Sequence, residues 1–568
     1  MKNLALKWRQ QHRMFAASIF SFTKKTIMKK TITFLMVAAC IHLSAQTLLK
    51  DINSGIASGN PQDFISIGAG KTIFQADVNS TGYEVWVTDG TTAGTSLIVD
   101  LNPGTSDGIP GYLSKAILAG SLFFPADNGT SGRELFKTDG TTAGTVLVKD
   151  INVGTSHGVL SNDMILFNNE IYFSADNGSV GTELWKTDGT TAGTVMVKDI
   201  SVGTSSSYPS NFYIFNNKLF FNAYDDANGY ELWSTDGTAL GTSLLLDINP
   251  GTNSSNPFGF TTLNNKLFFK AATDATGAEL WTSDGTTLGT TLLIDINGGT
   301  NSGFIGNKLT LYNSKLYFEG SDTLFGVELW ATDGTAQGTT LVKDINPGVN
   351  GSNPTEITRV NNQLVFSATD TVVGNELFTS DGTSAGTYVI ADIFYQTGSS
   401  YPSGFYVANG LAYFQANNNL VGSELWSTDG TTTGTTTYND ICLGSCNSSP
   451  SNFYAVDNKL LFAATDTIVG NELFTLALPT TGVKNMSDEK FLFSIYPNPA
   501  NTILNVELRN TNEESTIKIT DLNGRILSET KTHTAFEKIN LDEFSSGVYF
   551  ITVKSETGSS TKKFICSK

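Results

Sequence analysis

Between residues 46 and 483 the chain restates one pattern of about 48 residues, seen cleanly from Val195 to Thr242 as VMVKDISVGTSSSYPSNFYIFNNKLFFNAYDDANGYELWSTDGTALGT. The DGT aspartates fall at Asp89, Asp139, Asp188, Asp236, Asp284, Asp333, Asp381 and Asp429, at spacings of 48 to 50 residues. A fixed period of this length marks a repeat architecture, in which one supersecondary unit stacks on the next. Each unit holds four short runs rich in β-branched and aromatic residues. They are bounded by Asn, Asp, Gly and Ser, as in Phe212 to Phe215, Lys218 to Ala223, Tyr230 to Thr235 and Ser243 to Ile248. Pairs such as Asn216 and Asn217 tolerate positive φ and suit tight hairpins, so the unit reads as a four-stranded antiparallel meander. Leu219, Phe220 and Phe221 are apolar in succession, which places apolar side chains on both faces of the sheet. A sheet covered on both faces and repeated nine times predicts an all-β fold, a propeller of nine four-stranded blades.

The ends of the array predict that the ring closes. A KDI-like fourth strand occurs nine times, with aspartates at Asp51, Asp100, Asp150, Asp199, Asp247, Asp295, Asp344, Asp392 and Asp440. The first copy, Thr47 to Ile52, has no strands one to three before it, and the last strands one to three, ending at Glu472 to Phe474, have no fourth strand after them. Pairing the two leftovers completes a ninth blade and removes two exposed edges. An open β-solenoid or two smaller rings are the alternatives.

Charge follows the same boundaries. Residues 1–45 hold eight Lys or Arg and no acid, residues 46–483 hold 16 basic and 42 acidic residues, and residues 484–568 hold 11 of each. The array therefore stands at −26, which speaks against a nucleic-acid binder that tracks phosphates. Most of that charge sits at repeated signature positions.

From Met28 the chain reads MKKTITFLMVAACIHLSAQ, with Lys29 and Lys30, an apolar stretch from Ile32 to Leu43, and small residues Ser44 and Ala45. This is the grammar of a secretory signal over 28–45, with cleavage expected between Ala45 and Gln46. The preceding residues read as a start assigned too early or as a long basic leader. Val37 to Cys40 leave a lipobox as a second reading. No later segment reaches 18 continuous apolar residues, so no transmembrane span is expected in the mature chain.

The recurring ELW and DGT residues resemble the family named after its ELWxxDGT motif, found in exported proteins of Bacteroidetes-type bacteria. The resemblance covers nearly all of 46–483 and implies a surface or secreted role. A polar linker over 484–490 leads to a tail, 491–568, that is similar to the C-terminal sorting domain of type IX secretion substrates. Tyr496, Pro497, Asn498 and Pro499 open it, an Asn523 and Gly524 turn lies within it, Gly547, Val548 and Tyr549 sit in the penultimate strand, and Lys562, Lys563 and Phe564 lie near the end. The resemblance implies a small β-sandwich that engages the type IX secretion machinery and delivers the chain, via the periplasm, to the outer-membrane surface or the medium.

The candidate chemistry is sparse. The repeated aromatic, Trp86, Phe136, Trp185, Trp233, Trp281, Trp330, Phe378, Trp426 and Phe474, reads as packing between blades, with sugar stacking as the alternative. The repeated glutamates, Glu84 to Glu472, and KDI aspartates suggest glycoside hydrolysis or calcium. Yet every unit carries the same set where an active site needs one, so hydrogen bonding of turns and strand ends is the favoured reading. No cofactor is expected, with calcium left open. His157 is the array's single histidine and reads as a loop residue. Cys442 and Cys446 occur in one unit alone and are expected to form a disulfide, with free thiols or a metal site as alternatives. Function is expected where units differ: Asp225 and Asp226, the loop around His157, Phe394 to Tyr401, and Cys442 to Cys446. The favoured reading is a binding or adhesion protein for a glycan or protein ligand. The alternative is a polysaccharide-acting enzyme with carboxylates in the channel.

Overall fold

The computed structural model describes residues 46–114, 116–395, 398–479, 493–496, 500–508, 515–521, 525–532, 534, 536–554, 559–566 and 568. The leader with Cys40 and Ala45, the linker 484–490, Pro497 to Pro499 and the Asn523–Gly524 turn lie outside the described residues.

Residues 46–479 form an all-β, propeller-like array of four-stranded antiparallel sheets. The fourth unit is representative, with strands Ser210–Phe215, Lys218–Asp225, Gly229–Thr235 and Ser243–Leu246 paired in sequence order. Asn216 and Asn217 turn the first hairpin with φ of 47° and 58°, the left-handed pair that a two-residue turn requires. Because the meander alternates direction, the Asn-Asn and DGT turns share one end of the strands. The second hairpin turn and the loop to the next unit share the other.

The sheet formed last in sequence draws on both ends of the array. Strands Ser451–Val456, Lys459–Asp466 and Gly470–Ala477 are completed by Thr47–Lys50, which pairs antiparallel with the last of them. Core side chains interleave between consecutive sheets. Leu184 and Val197 of the third unit pack with Leu219, Phe221 and Trp233 of the fourth. In the same way Phe64, Phe74 and Trp86 of the first sheet pack with Val456, Leu461 and Leu473 of the last.

The tail holds two sheets around one core. Phe493–Tyr496, Ile503–Leu508 and Phe536–Asn540 make the first, and Ile526–Thr532, Ser515–Thr520, Gly547–Lys554 and Ser559–Cys566 the second. Leu504 and Val506 from one face Ile517, Ile551 and Phe564 from the other. Among the described residues no helix is long and apolar enough to cross a membrane.

Candidate functional site

The repeated glutamates are the most deeply placed polar groups of the array. All nine, from Glu84 to Glu472, are fully buried on the third strand of their units. Glu231 shows their work: Oε2 accepts from Ile248 N at 2.8 Å and Ser255 Oγ at 2.6 Å, while Oε1 accepts from Ser255 N at 2.8 Å. One carboxylate thus pins both ends of the loop that crosses to the next unit. Glu472 does the same across the chain termini, accepting from Ile52 N and Gly59 N, both at 2.7 Å. Burial pushes the carboxyls of Glu84, Glu134, Glu183, Glu231, Glu279 and Glu472 up to about 7, with the loop donors pulling the other way. A shell of N–H and O–H donors suits an anion and offers few lone pairs to a cation.

The DGT aspartates build their own turns. Asp236 Oδ1 accepts from Thr238 N at 2.9 Å and Thr238 Oγ1 at 2.8 Å, and Thr235 and Thr242 close the turn with hydroxyls 2.7 Å apart. The second glycine of the motif is required by contact, since a Cβ on Gly241 would run into the Asp236 carboxylate. Four of the KDI aspartates, Asp199, Asp247, Asp295 and Asp440, cap the loop that follows, as when Asp247 Oδ2 accepts from Gly251 N at 3.2 Å. Among the described residues no three His, Cys, Asp or Glu side chains gather as a metal set.

Trp86, Trp185, Trp233, Trp281 and Trp330 are buried and Trp426 is half-buried. Their indole Nε1 atoms meet no acceptor among the described residues, so the rings act through area.

The positions where units differ divide into two kinds. Some substitute one structural part for another. His157 is exposed, and its Nδ1 accepts from Arg133 N at 2.9 Å, the place taken by Ser254 Oγ under Tyr230 N in the next unit but one. Asp225 Oδ1 accepts from Ala227 N and Asn228 N, both at 2.8 Å, and caps its own turn, while Asp226 is exposed. Cys442 stands where other units place an asparagine such as Asn346, whose Nδ2 donates to Gly351 O at 2.8 Å. There the strap is covalent: Cys442 and Cys446 form a disulfide with a Cα–Cα distance of 5.3 Å. The fourth strand of that unit, Thr436–Thr437, is two residues long, so the disulfide holds a loop that the ladder holds less well.

The second kind adds groups that the turns and loops of most units do without. Tyr208, in the loop entering the fourth unit, borders a cleft of about 390 Å³ with Pro209, Ser210, Ser161, Ser174 and Tyr230. The Tyr230 ring lies 5.2 Å from that of Tyr224. In sequence Tyr208 is one aromatic among many; only the register that aligns it with Asn256 of the next loop singles it out. A second cleft, of about 450 Å³, spans three first hairpins and includes Tyr312 and Arg359. The first strands of the units add carboxylates that differ from unit to unit. Asp63 accepts from Leu113 N at 3.1 Å and Glu356 from Gly404 N at 2.7 Å, linking neighbouring units. In the Phe394 to Tyr401 loop, Phe394 N and Ser400 N donate to Glu376 Oε1, the same clamp as elsewhere, and Tyr401 is exposed.

In the tail, Gly547 opens a strand paired with Ser559–Cys566, and Lys562 and Lys563 on that partner strand are exposed. Tyr496 ends the first strand, opposite Asn505. Residues 494–567 match the family described as the secretion system C-terminal sorting domain. The tail is a type IX sorting domain. Its presence marks the chain as exported through the type IX machinery to the cell surface or the extracellular space. Comparison with curated proteins yields no match. Among solved structures, the chain is similar to PorZ, a surface component of the type IX secretion system of Porphyromonas gingivalis. The identity is 13%, over 89% of this chain and 75% of that one, with a TM-score of 0.30. It is also similar to a puromycin hydrolase (14% identity, 66% of this chain and 61% of that one, TM-score 0.34). Prolyl oligopeptidase B from Galerina marginata is a third (11%, 69% and 55%, TM-score 0.35). At these values none of the three lends this chain an activity.

Proposed function

We propose that the exported chain is a nine-bladed propeller of ELWxxDGT repeats that binds an extracellular ligand, glycan or protein, at positions where the blades differ. Residues 46–483 form the ring, 484–490 the linker and 491–568 the sorting domain. The signal 28–45 is removed after Ala45, one residue before the first strand begins at Thr47. Closure is supported by Thr47–Lys50 completing the last sheet, and by the core shared between the last sheet and the first.

The observation that carries the binding role is the division of labour among polar groups. The repeated glutamates and DGT aspartates are engaged with their own loops and turns, whereas Tyr208 and its neighbours face an open cleft. The alternative, a polysaccharide-acting enzyme, requires a carboxylate pair free to exchange protons. Asp225 caps a turn, and Asp63 and Glu356, each on the first strand of its unit, accept backbone N–H bonds from the next unit. The test presents the purified exported protein to immobilised polysaccharides and surface proteins and assays reducing ends in the same wells. Retention without sugar release is expected. Release that disappears in Asp225→Asn or Asp226→Asn replaces the binding role with the enzymatic one.

A further inference from the structure

We infer that the cleft between the third and fourth units, walled by Tyr208, is a binding site for an uncharged glycan, an inference that rests on the binding role proposed above. The loop position of Tyr208 recurs before Pro61, Pro257, Pro354 and Pro450 as Asn60, Asn256, Asn353 and Ser449, all with left-handed φ between 43° and 50°. Asparagine accepts that conformation readily; a bulky aromatic residue there is a genuine outlier. Tyr208 adopts it at φ 45° and leaves half of its surface (51%) exposed. The fold has a better residue for this backbone and uses it in the neighbouring loop, so the ring of Tyr208 serves something other than the fold. Strain held at a surface aromatic is characteristic of ligand sites.

The surroundings define the ligand. Tyr230, on the third strand of the same unit, stands where the first unit has Tyr83 and others have Ala278, Val327, Asn375 or Ser423, and Tyr224 stands where the first unit has Asp77 and those others Ala272, Ser321, Thr369 or Asn417. Only the fourth unit therefore sets two further tyrosines beside the exposed one. Tyr208 and Tyr230 line the same cleft, and the Tyr224 ring backs that of Tyr230 at 5.2 Å. The lining also holds Ser161 and Ser174, residues whose hydroxyls both donate and accept. Aromatic faces for the C–H side of a sugar ring, with hydroxyls at the edge for its O–H groups, are the chemistry of a pyranose. The lining includes no Lys or Arg, and the array carries 42 acids against 16 basic residues, which disfavours uronic acids and sulfated sugars. The cleft's volume lies within the span of small-ligand sites.

Tyr401 supplies a control within the same chain. It has the same backbone, φ 48°, and is also exposed, but the residues corresponding to Tyr230 and Tyr224 are Ser423 and Asn417. The experiment titrates the full exported chain calorimetrically with cellohexaose, maltohexaose, mannohexaose and xylohexaose, with oligogalacturonate as the acidic comparison. Tyr208→Asn installs the residue that the backbone prefers, so an unchanged or raised melting temperature shows that it folds. At least one neutral hexaose is expected to bind, at least tenfold more weakly to Tyr208→Asn and within twofold of wild type to Tyr401→Asn. Neutral-glycan binding that survives Tyr208→Asn overturns this site and leaves the binding role standing. Binding confined to oligogalacturonate or to a protein overturns the ligand class, and no binding of any kind removes the role itself.

Discussion

Strand Lys218–Asp225 of the array and strand Ser515–Thr520 of the tail both lie inside antiparallel sheets, yet their burial differs in kind. In the first, five consecutive residues from Leu219 to Ala223 are buried; in the second, buried and half-buried residues alternate. Alternation is what a sheet produces when one face meets a core and the other meets water, and consecutive burial is what it produces when both faces are covered. The tail therefore keeps its polar groups on the wet side. The array has no such side along its middle strands, and must satisfy its polar groups internally. Buried Glu231 with its loop donors is the result, repeated in every unit.

The sharpest way to break this contrast is to remove the segment that completes the last sheet. Deleting residues 46–52 uncovers the contacts of Leu49 and Ile52 and takes the Ile52 donor from buried Glu472. A loss of roughly 5 kcal/mol or more is expected. Thermal melting of the exported chain would show it as a collapse of the array transition, and an unchanged transition would refute the closure.

Next come paired truncations along one strand. Phe220→Ala and Phe221→Ala are each expected to cost about 3–5 kcal/mol, because both neighbours are fully buried. In the tail, Ile517→Ala should cost about 2–4 kcal/mol. Its neighbour Lys518, whose ion pair with Glu529 is partly exposed, should cost under about 1 kcal/mol when replaced by Ala. Denaturant unfolding reads the four values, and equal effects at Ile517 and Lys518 would erase the distinction.

pH sharpens the comparison further. Six of the clamp glutamates, Glu231 and Glu84 among them, are raised from an ordinary 4.5 to about 7, so between those values the folded array binds more protons than the unfolded chain. Its stability is then fully present below about pH 4.5 and falls as pH rises through 7. Exposed DGT aspartates such as Asp236 and Asp89, held below 3.8 by Thr hydroxyls, act in the opposite sense and only under acid conditions. A melting temperature several degrees higher at pH 5 than at pH 8 is expected, and a flat or rising profile would contradict the clamp.

The covalent strap is the most local test. Replacing Cys442 and Cys446 by Ser opens a loop of sequence separation 4 and should cost about 2 kcal/mol. Proteolysis near Leu443, which is exposed, should rise with it.

Much of this was legible before any coordinates. Consecutive apolar residues such as Phe220 and Phe221 announced a doubly covered sheet, Asn216 and Asn217 announced their hairpin, and the DGT motif announced a turn. The depth of Glu231 was not legible, because a Glu between Tyr230 and Leu232 reads equally as a strand-end or a surface residue. Only the loop folding back upon it makes a clamp. His157 and Cys442 became intelligible as replacements for Ser254 and Asn346 once the registers were aligned. Tyr208 stayed hidden for a related reason: its distinction is a backbone angle it shares with asparagines, and composition does not record angles.

The pairing of Thr47–Lys50 with Gly470–Ala477 also fixes an order of events in time. Ile52 and the glutamate that accepts its N–H are 420 residues apart, so the first strand to be synthesised waits as an unpaired edge until nearly the whole array has followed it. Contacts of such sequence separation form late and slowly. The last sheet is thus a checkpoint on completeness. A chain truncated anywhere before Gly470 lacks the partner for its own beginning, and it is left with an unpaired edge open to aggregation.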